Sequence, residues 1–377
     1  MLLPYNVIII MIDGGRYDRS IKSDFYKKLK EKSNFFSQPI TYAPHTIAAM
    51  HAVFSGCYGV RTGTDSYWST YKFKKNQFKT ITEYLHDQNY YTSADIVSEI
   101  VIPKQGFDEF QIHDEQKDDL TLRHLDIIER VYTNNKNKNF FLYLQFSDIH
   151  TGISNEVLQV YDNFSKEYFQ NGKLNENRYD KLFKKSEFYL DKILEKINLL
   201  GLEKNSVILI MSDHGISVGE KIGERAYGAF CYDYTLRTFA YFIMPGFNPS
   251  EISQQVRTVD FMPSILEFLH IPLDKNYSNL DGESLLPLIK GQNVSEKIAY
   301  SETGNPLEEK KPPKTPNTKS IRTSKWKLII NEYNNSKELY DLENDPNENE
   351  NLVDKNLEIQ ETLWKKFLEI QSTNANN

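Results

Sequence analysis

The sequence predicts a layered α/β fold, with a smaller α+β subdomain at the C-terminus. Several short apolar runs each end in a polar or glycine-containing cluster, and helical patterns lie between them. Continuous apolar runs of this length suit strands covered on both faces, and their alternation with helices is typical of an α/β sheet. A proline- and lysine-rich stretch, Glu309–Lys319, indicates an exposed loop ahead of the C-terminal part.

The elements follow in chain order. Strands are predicted at Val7–Ile12, Phe140–Phe146, Val207–Met211 and Phe239–Met244, and helices at Thr80–Gln88, Tyr179–Leu200 and Val259–Leu269. Gly201 is a suitable C-terminal stop for the second helix. Beyond the loop, Ser320–Ile330 and Lys337–Leu342 are predicted as short strands and Leu352–Ile370 as a closing helix. We therefore expect a catalytic α/β domain over residues 1–295 and a small subdomain over 296–377.

Composition excludes several classes of protein. The 377 residues carry a formal charge of -7 and no long basic stripe, which argues against nucleic-acid binding. Two cysteines are too few for a disulfide framework or a cysteine-rich zinc site. The first apolar run is far shorter than the roughly 20 residues of a membrane span, and no basic leader precedes it. We expect a cytoplasmic protein without a membrane span.

Polar residues follow three of the predicted strands. Asp13 follows the first, Asp148 and His150 the second, and Asp213 and His214 the third. Ligands of open α/β sheets bind outside the carboxyl ends of strands. Two carboxylates and an imidazole suit a divalent cation, although each aspartate taken alone also fits a turn or a helix cap.

Thr46 is the candidate nucleophile. It follows a predicted turn, Pro44-His45, and opens the predicted helix Thr46–Phe54. A helix N-terminus binds anions, and a metal beside a hydroxyl lowers the pKa of that hydroxyl. A local capping role for Thr46 is compatible with this one.

These residues resemble the sulfatase-like family of the alkaline phosphatase superfamily, over almost the whole chain. The similar segments, in order, are Ile10–Asp18 (IMIDGGRYD), Thr46–Gly63, Thr80–Phe110, Phe146–His150 (FSDIH), Ser212–Gly215 (SDHG), Val259–Leu288 and Lys325–Leu352. The resemblance implies a large mixed β-sheet sandwiched by helices. It also implies that Asp13, Asp213 and His214 hold the metal, with Thr46 as a further ligand and as nucleophile.

The resemblance implies roles for other residues too. Arg61 is similar to the family arginine behind the nucleophile, and His150 to a substrate-contacting histidine or a ligand of a second metal. Asp148 lies in the same FSDIH stretch and is expected near the substrate. Lys221 and Arg225 could supply cations around the bound anion; as loop residues they could equally be solvated charges.

Four departures from the sulfatase pattern shape the prediction. Sulfatases carry Cys or Ser at the nucleophile, converted to formylglycine, whereas position 46 is Thr and Cys57 lies beyond the helix. Gly14 stands where many sulfatases have a second Asp. The Gly-Lys-Trp-His stretch that binds sulfate is absent at Asp95–Lys104, and Tyr227–Phe230 offers no histidine where two-metal relatives often do. We therefore expect one divalent cation (Zn, Mn, Ca or Mg), with a second possible.

The expected function is metal-dependent hydrolysis of a phosphate ester, a diester or substituted monoester and possibly a saccharide, through a covalent phospho-Thr46 intermediate. This resembles the phosphodiesterase and phosphonate-hydrolase members of the family, which use threonine. The alternatives are transfer of a phospho-substituent to a sugar or lipid hydroxyl and hydrolysis of a sulfate ester. A non-catalytic protein that binds anionic sugars is a further alternative.

Overall fold

Eight strands form one mixed sheet at the centre of the computed structural model, which describes residues 5–66, 69–305, 313 and 315–375. The fourteen strands of the described residues, in all sheets, are β1 (Asn6–Ile12), β2 (Asn34–Phe36), β3 (Pro39–Ile40), β4 (Tyr91–Ile96), β5 (Glu109–Ile112), β6 (Phe140–Phe146), β7 (Ser206–Ser212), β8 (Ala240–Ile243), β9 (Ser250–Ile252), β10 (Val256–Arg257), β11 (Ala299–Thr303), β12 (Thr318–Arg322), β13 (Trp326–Asn331) and β14 (Ser336–Asp341). The central sheet has the order β5-β4-β6-β1-β7-β8-β2-β9.

The described residues contain thirteen α-helices, several of which cover the two faces of this sheet. They are α1 (Tyr17–Ser20), α2 (Asp24–Lys30), α3 (Thr46–Ser55), α4 (Gly59–Thr62), α5 (Ile81–Asp87), α6 (Leu120–Asn134), α7 (Asp148–Ile153), α8 (Lys166–Gln170), α9 (Gly172–Leu199), α10 (Asp233–Leu236), α11 (Phe261–Phe268), α12 (Leu286–Ile289) and α13 (Leu357–Ala375). The predicted fold class is confirmed.

Strand β1 is the axis of the sheet, because it pairs in parallel with β6 on one side and with β7 on the other. Its side chains alternate between the two faces, as in any strand. Val7, Ile9 and Met11 pack with α3, α5 and α11. Ile8, Ile10 and Ile12 pack with α2, α6 and α9. Burial on both faces explains why the sequence shows an uninterrupted apolar run here.

The C-terminal part contains a separate antiparallel sheet of order β11-β12-β13-β14, against which α13 packs. The prediction of one strand over Ser320–Ile330 is wrong, because a tight turn after Arg322 splits it into β12 and β13. The loop predicted at Glu309–Lys319 lies partly outside the described residues, and its end belongs to β12. The division of the chain at residue 295 stays a prediction.

Helix boundaries differ from the predicted ones by a few residues. Helix α9 begins seven residues before Tyr179, at Gly172, and α13 begins at Leu357. None of the helices in the described part of the chain combines enough length with enough apolar character to span a bilayer. The cytoplasmic location stays a prediction.

Candidate active site and metal centre

Three adjacent parallel strands end at one edge of the sheet and deliver the polar residues of the site. Asp13 follows β1, His150 lies on α7 just after β6, and Asp213 and His214 follow β7. Because β1 lies between β6 and β7, the three carboxyl ends meet there. The structure thus brings together the predicted ligands Asp13, Asp213 and His214, all buried.

Helix α3 brings Thr46 to the same place. All ten of its residues are buried, and it begins directly after His45, whose backbone is extended (φ -156, ψ 149). The Thr46 hydroxyl does not cap the helix. Instead, Oγ1 lies 3.3 Å from His214 Nε2 and 3.4 and 3.5 Å from the two carboxylate oxygens of Asp13.

These separations suit a shared cation. A hydroxyl bonded directly to a carboxylate lies nearer, at roughly 2.5–3.0 Å. His214 Nε2 also lies 3.5 Å from Asp213 Oδ2 and 3.8 Å from Asp13 Oδ1. Ligands bound at about 2.0–2.5 Å around one ion stand roughly 3–4 Å from each other. The four side chains therefore have the spacing of a ligand set.

Asp213 Oδ2 and His214 Nε2 both face the centre of this ligand set. Asp213 Oδ1 accepts hydrogen bonds from the backbone N–H groups of Gly14 and His214, at 3.1 and 2.8 Å. Asp213 Oδ2 is buried and has no hydrogen-bond partner among the described residues. His214 Nδ1 lies 2.8 Å from the carbonyl oxygen of Gly215, so Nδ1 carries the hydrogen and Nε2 presents its lone pair. A buried orphan oxygen and an oriented lone pair fit a divalent cation.

Gly14 stands where many sulfatases have a second aspartate, and it contributes to the site through its backbone. Its φ of +72 belongs to the left-handed region that glycine tolerates. This conformation points its N–H at Asp213. An added Cβ would also lie 3.0 Å from Ile216.

The electrostatics of the site separate the two carboxyl groups. Burial alone would raise the pKa of Asp13, but the neighbouring His150 and His214 outweigh burial and hold it below its ordinary value. Burial and the nearby Asp13 charge raise the pKa of Asp213 to about 6, against the opposing effect of His214. Burial lowers the pKa of His150, yet the Asp13 carboxylate outweighs it and raises that pKa to about 9. Asp13 and His150 therefore form an ion pair at neutral pH.

His150 lies between the ligand set and an aromatic ring. Its Nδ1 is 3.6 Å from Asp13 Oδ1 and 3.3 Å from the hydroxyl of Tyr227. Its side chain is 26% exposed, whereas those of Asp13, Asp213 and His214 are at most 1% exposed. The Tyr227 ring also packs against His214 at a tilt of 36°, with ring centroids 4.9 Å apart. The exposed side of His150 is therefore available to a ligand entering from solvent.

The structure does not bring Arg61 to Thr46. Arg61 lies on α4, beyond the C-terminal end of α3, and its Nη1 pairs with Asp281 at 2.7 Å. Asp281 is anchored at that end, because its backbone N–H donates to the carbonyl of Gly56. About 15 Å of helix separates this point from Thr46. Arg61 makes no described contact with Thr46, and its expected support of the nucleophile stays a prediction.

Three other predicted substrate residues have partners elsewhere. Asp148 lines a separate cavity of about 780 Å³ between α7 and α9, with Lys181 and Lys185 among its neighbours. Lys221 donates to the backbone carbonyl of Glu348 and lies over the rings of Tyr232 and Tyr340. Arg225 donates to the side-chain oxygen of Asn163 at 2.6 Å. Their roles in binding substrate stay predictions.

Cys57 lies in the turn beyond α3. Its buried thiol faces the carbonyl of Asn279, and burial raises the pKa of this thiol to about 12. A thiol that is neutral and enclosed is a poor nucleophile.

The sequence analysis missed Gln145. This residue is the last but one of β6 and donates its side-chain N–H to Asp13 Oδ2 at 2.8 Å. The signal was present: Gln145 is the one strongly polar side chain in the run Phe140–Phe146, and a buried polar residue needs a partner. Tyr227, which stands where two-metal relatives often have a histidine, contacts both His150 and His214.

Comparisons with known proteins agree with this architecture. The family model described as Sulfatase matches residues 5–271, and a model described as N-sulphoglucosamine sulphohydrolase, C-terminal, matches residues 227–373. Arylsulfatase K from Bos taurus is 28% identical over 194 residues, or 48% of this chain. That match spans only 34% of the relative's length.

Solved structures resemble the whole chain. A protein described as a 2-O GAG sulfatase has a TM-score of 0.78 at 17% identity, covering 99% of this chain and 92% of that one. A protein solved with its substrate D-glucosamine-2-N,6-O-disulfate has a TM-score of 0.75 at 18% identity, covering 99% of both chains. A phosphonate monoester hydrolase of Agrobacterium radiobacter has a TM-score of 0.76 at 12% identity, covering 98% and 96%. At these identities the likeness shows a common fold.

Proposed function

Because the chain belongs to the Sulfatase family, a family of ester hydrolases within the alkaline phosphatase superfamily, we propose that it hydrolyses an anionic ester with Thr46 as nucleophile. One observation carries the proposal. The Thr46 hydroxyl lies within 3.5 Å of both Asp13 and His214 at the point where three strand ends meet. The transferred group would be a sulfate or a phosphate carried by a saccharide.

A divalent cation is part of the proposal. Asp13, Asp213, His214 and Thr46 would hold it, and when bound it would lower the pKa of the Thr46 hydroxyl and offset charge on the transferred group. Three oxygens and one nitrogen are compatible with Zn, Mn, Ca or Mg. Elemental analysis of the purified protein identifies the ion.

The protein's own residues have complementary tasks. Thr46 Oγ1 forms the bond to sulfur or phosphorus while the bond to the departing alcohol oxygen breaks. Asp13, ionised at neutral pH, can take the hydroxyl hydrogen, and cationic His150 can give a hydrogen to the departing oxygen. Water then attacks the sulfur or phosphorus atom, and the bond to Thr46 Oγ1 breaks. One hydrogen of the water passes to His150, now neutral, and Asp13 returns its hydrogen to Oγ1, which restores all three residues.

The family match and the names of the relatives support a sulfate ester as the first substrate class. They name a sulphohydrolase and an arylsulfatase, and the fold is that of glycosaminoglycan sulfatases. A sulfated saccharide is therefore the first substrate to supply.

The threonine itself favours a phosphate ester as the second class. Formylglycine is hydrated to a diol, which releases sulfate by breaking its own carbon–oxygen bond. Thr46 has one hydroxyl, so its covalent intermediate opens only by attack of water at the transferred atom. This route resembles the phospho-enzyme chemistry of phosphate esters.

The test compares rates on metal-reconstituted protein with p-nitrophenyl sulfate, p-nitrophenyl phosphate and bis-p-nitrophenyl phosphate. We expect Thr46→Ala to lose about 10³-fold or more of the activity and Thr46→Ser to retain a measurable part. The preferred ester then decides between the two classes. Full activity of Thr46→Ala would refute the nucleophile assignment. No turnover despite bound metal would favour the transferase or the sugar-binding alternative.

A further inference from the structure

A second buried polar cluster lies next to the candidate site, on the neighbouring strand β4. The carboxylate of Asp95, near the end of β4, is fully buried. Its Oδ1 accepts from His113 Nδ1 at 2.6 Å and from His124 Nε2 at 3.2 Å, and its Oδ2 accepts from Arg123 at 2.7 Å. Two histidines and an aspartate within one ligand sphere raise the question of a second metal.

The distances favour hydrogen bonds over a metal. The closest contact, 2.6 Å, leaves no room for an ion between Asp95 and His113. The outer nitrogens are also occupied: His113 Nε2 faces the hydroxyl of Ser147 at 2.9 Å, and His124 Nδ1 faces that of Tyr189 at 2.7 Å. Around Thr46, by contrast, the corresponding separations are 3.3–3.8 Å.

The charges in the cluster also argue against a bound metal. The Arg123 guanidinium already pairs with Asp95, so a further cation would meet repulsion. Burial alone would raise the pKa of Asp95, but the hydrogen bonds from His113 and His124 outweigh it and hold the pKa well below its usual range. The cluster is a satisfied network around one ionised carboxylate.

Ser147 connects this network to the site. It lies between β6 and α7, and its carbonyl accepts from the N–H of Thr151 in the first turn of α7. Its backbone is in the sparsely populated bridge region (φ -100, ψ 0). Such a conformation persists when surrounding contacts fix it. His150, three residues along, is the side chain that reaches Asp13.

We propose that Asp95, His113 and Ser147 form a positioning relay that fixes the start of α7 and thereby holds His150 against Asp13. Asp95 only accepts, so His113 Nδ1 carries a hydrogen and Nε2 receives the Ser147 hydroxyl. The assignment rests on the proposed function, in which His150 serves the departing group. All three relay residues are buried, so we assign them a positioning role and not a catalytic one.

Strand β4 supports the end of β6 at a second point. The backbone N–H of Val97 donates to Gln145 Oε1 at 3.1 Å, while Gln145 Nε2 donates to Asp13. Val97, directly after β4, therefore holds Gln145, and Asp95 on β4 acts on Ser147 through His113. Gln145 orients Asp13 directly, and Ser147 acts through His150.

A double-mutant cycle tests the relay. Ser147→Ala removes the hydroxyl at little change in volume, and we expect it to lower kcat about tenfold while KM stays within about twofold. In the His150→Gln background the same substitution is expected to change kcat less than about twofold, because the residue it acts through is gone. Ser147→Thr, which keeps the hydroxyl, should restore most of the rate. Equal losses of kcat in the two backgrounds would overturn the proposal.

A readout independent of activity separates this inference from the proposed function. Hydrogen–deuterium exchange of the segment 147–153 is expected to accelerate in Ser147→Ala and in His113→Gln, while exchange in 46–55 stays at the parent rate. Ser264→Ala, which removes a buried serine hydroxyl on α11, is the matched control and should leave 147–153 unchanged. Unchanged exchange in both relay variants would refute the relay even if an ester is hydrolysed. Accelerated exchange in a protein that hydrolyses none of the esters would uphold the positioning and refute the proposed function.

Discussion

Replacing Asp213 by asparagine should stabilise the metal-free protein at neutral pH. The carboxylate is fully buried, one of its oxygens has no partner in the described part of the chain, and Asp13 lies nearby. Burial and Asp13 raise its pKa to about 6 from an ordinary 3.8. That difference of about 2, at about 1.4 kcal/mol for each pH unit, amounts to about 3 kcal/mol. Asp213→Asn removes the charge and keeps the shape, so it should recover this energy.

The pH dependence has a defined sign. Below about pH 4 the group is protonated in both the folded and the unfolded chain, and the substitution should be neutral. Between pH 4 and 6 the unfolded chain ionises first, so the folded parent loses stability as pH rises. Above pH 6 the difference between parent and variant should be constant at its full value.

Urea unfolding with EDTA at pH 4.5 and pH 8 measures this difference. Addition of the native cation at pH 8 should stabilise the parent and have little effect on Asp213→Asn, because binding requires the ligand set. Asp126→Asn, at an exposed position on α6, is the control and should change neither value. An Asp213→Asn variant that is no more stable than the parent in EDTA at pH 8 would show that no uncompensated charge is stored there. A variant stabilised by the cation as much as the parent would remove Asp213 from the site.

Three further predictions test separate parts of the site. Gln145→Leu removes the hydrogen bond to Asp13 and should weaken cation binding about 10- to 100-fold, as measured by isothermal titration calorimetry. Unchanged affinity would show that Asp13 is oriented without this hydrogen bond. Gly14→Ala should lower the free energy of unfolding by urea by about 1–3 kcal/mol because of the positive φ. Ile216→Val in that background removes one of the two close atoms and should recover only a small part of this loss. Cys57→Ala should retain activity within about twofold, and the native parent should resist iodoacetamide at pH 8. Rapid inactivation by that reagent, prevented in Cys57→Ala, would contradict the burial argument.

The elements that could be predicted from the sequence are those whose burial leaves a simple pattern. Strands β1, β6 and β7 are covered on both faces, so each is an uninterrupted apolar run of recognisable length. The strands β3 and β10 are only two residues long, too short to show any period. They depend on partners far away in the chain.

The residues of the site also differ in how far the sequence predicts their position. Asp13, Asp213 and His214 are placed by backbone alone, because each follows a strand whose end is fixed by the sheet. The side chains of Lys221 and Arg225 extend several bonds from loops, and their directions are set by contacts with Glu348 and Asn163. A sequence motif shows where a long side chain is attached to the backbone, but it does not show which group the end of that side chain will contact. Gln145 was predictable in principle, since a polar residue within a buried strand requires one.

The choice between Thr46 and Cys57 depends on the direction of one helix. Thr46 is the first residue of α3 and Cys57 lies two residues beyond its last, and both carry a group capable of attack. The N-terminus of a helix presents free N–H groups and a partial positive charge, whereas the C-terminus presents carbonyls and a partial negative charge. At the N-terminus of α3 the side chain of His45 does not cap the first turn, so the N–H groups there can serve an anion held beside Thr46. At the other end, burial and the carboxylate of Asp281 disfavour a thiolate at Cys57. The polarity of α3 thus favours negative charge beside Thr46 and opposes it beside Cys57, which agrees with the proposal that Thr46 is the nucleophile.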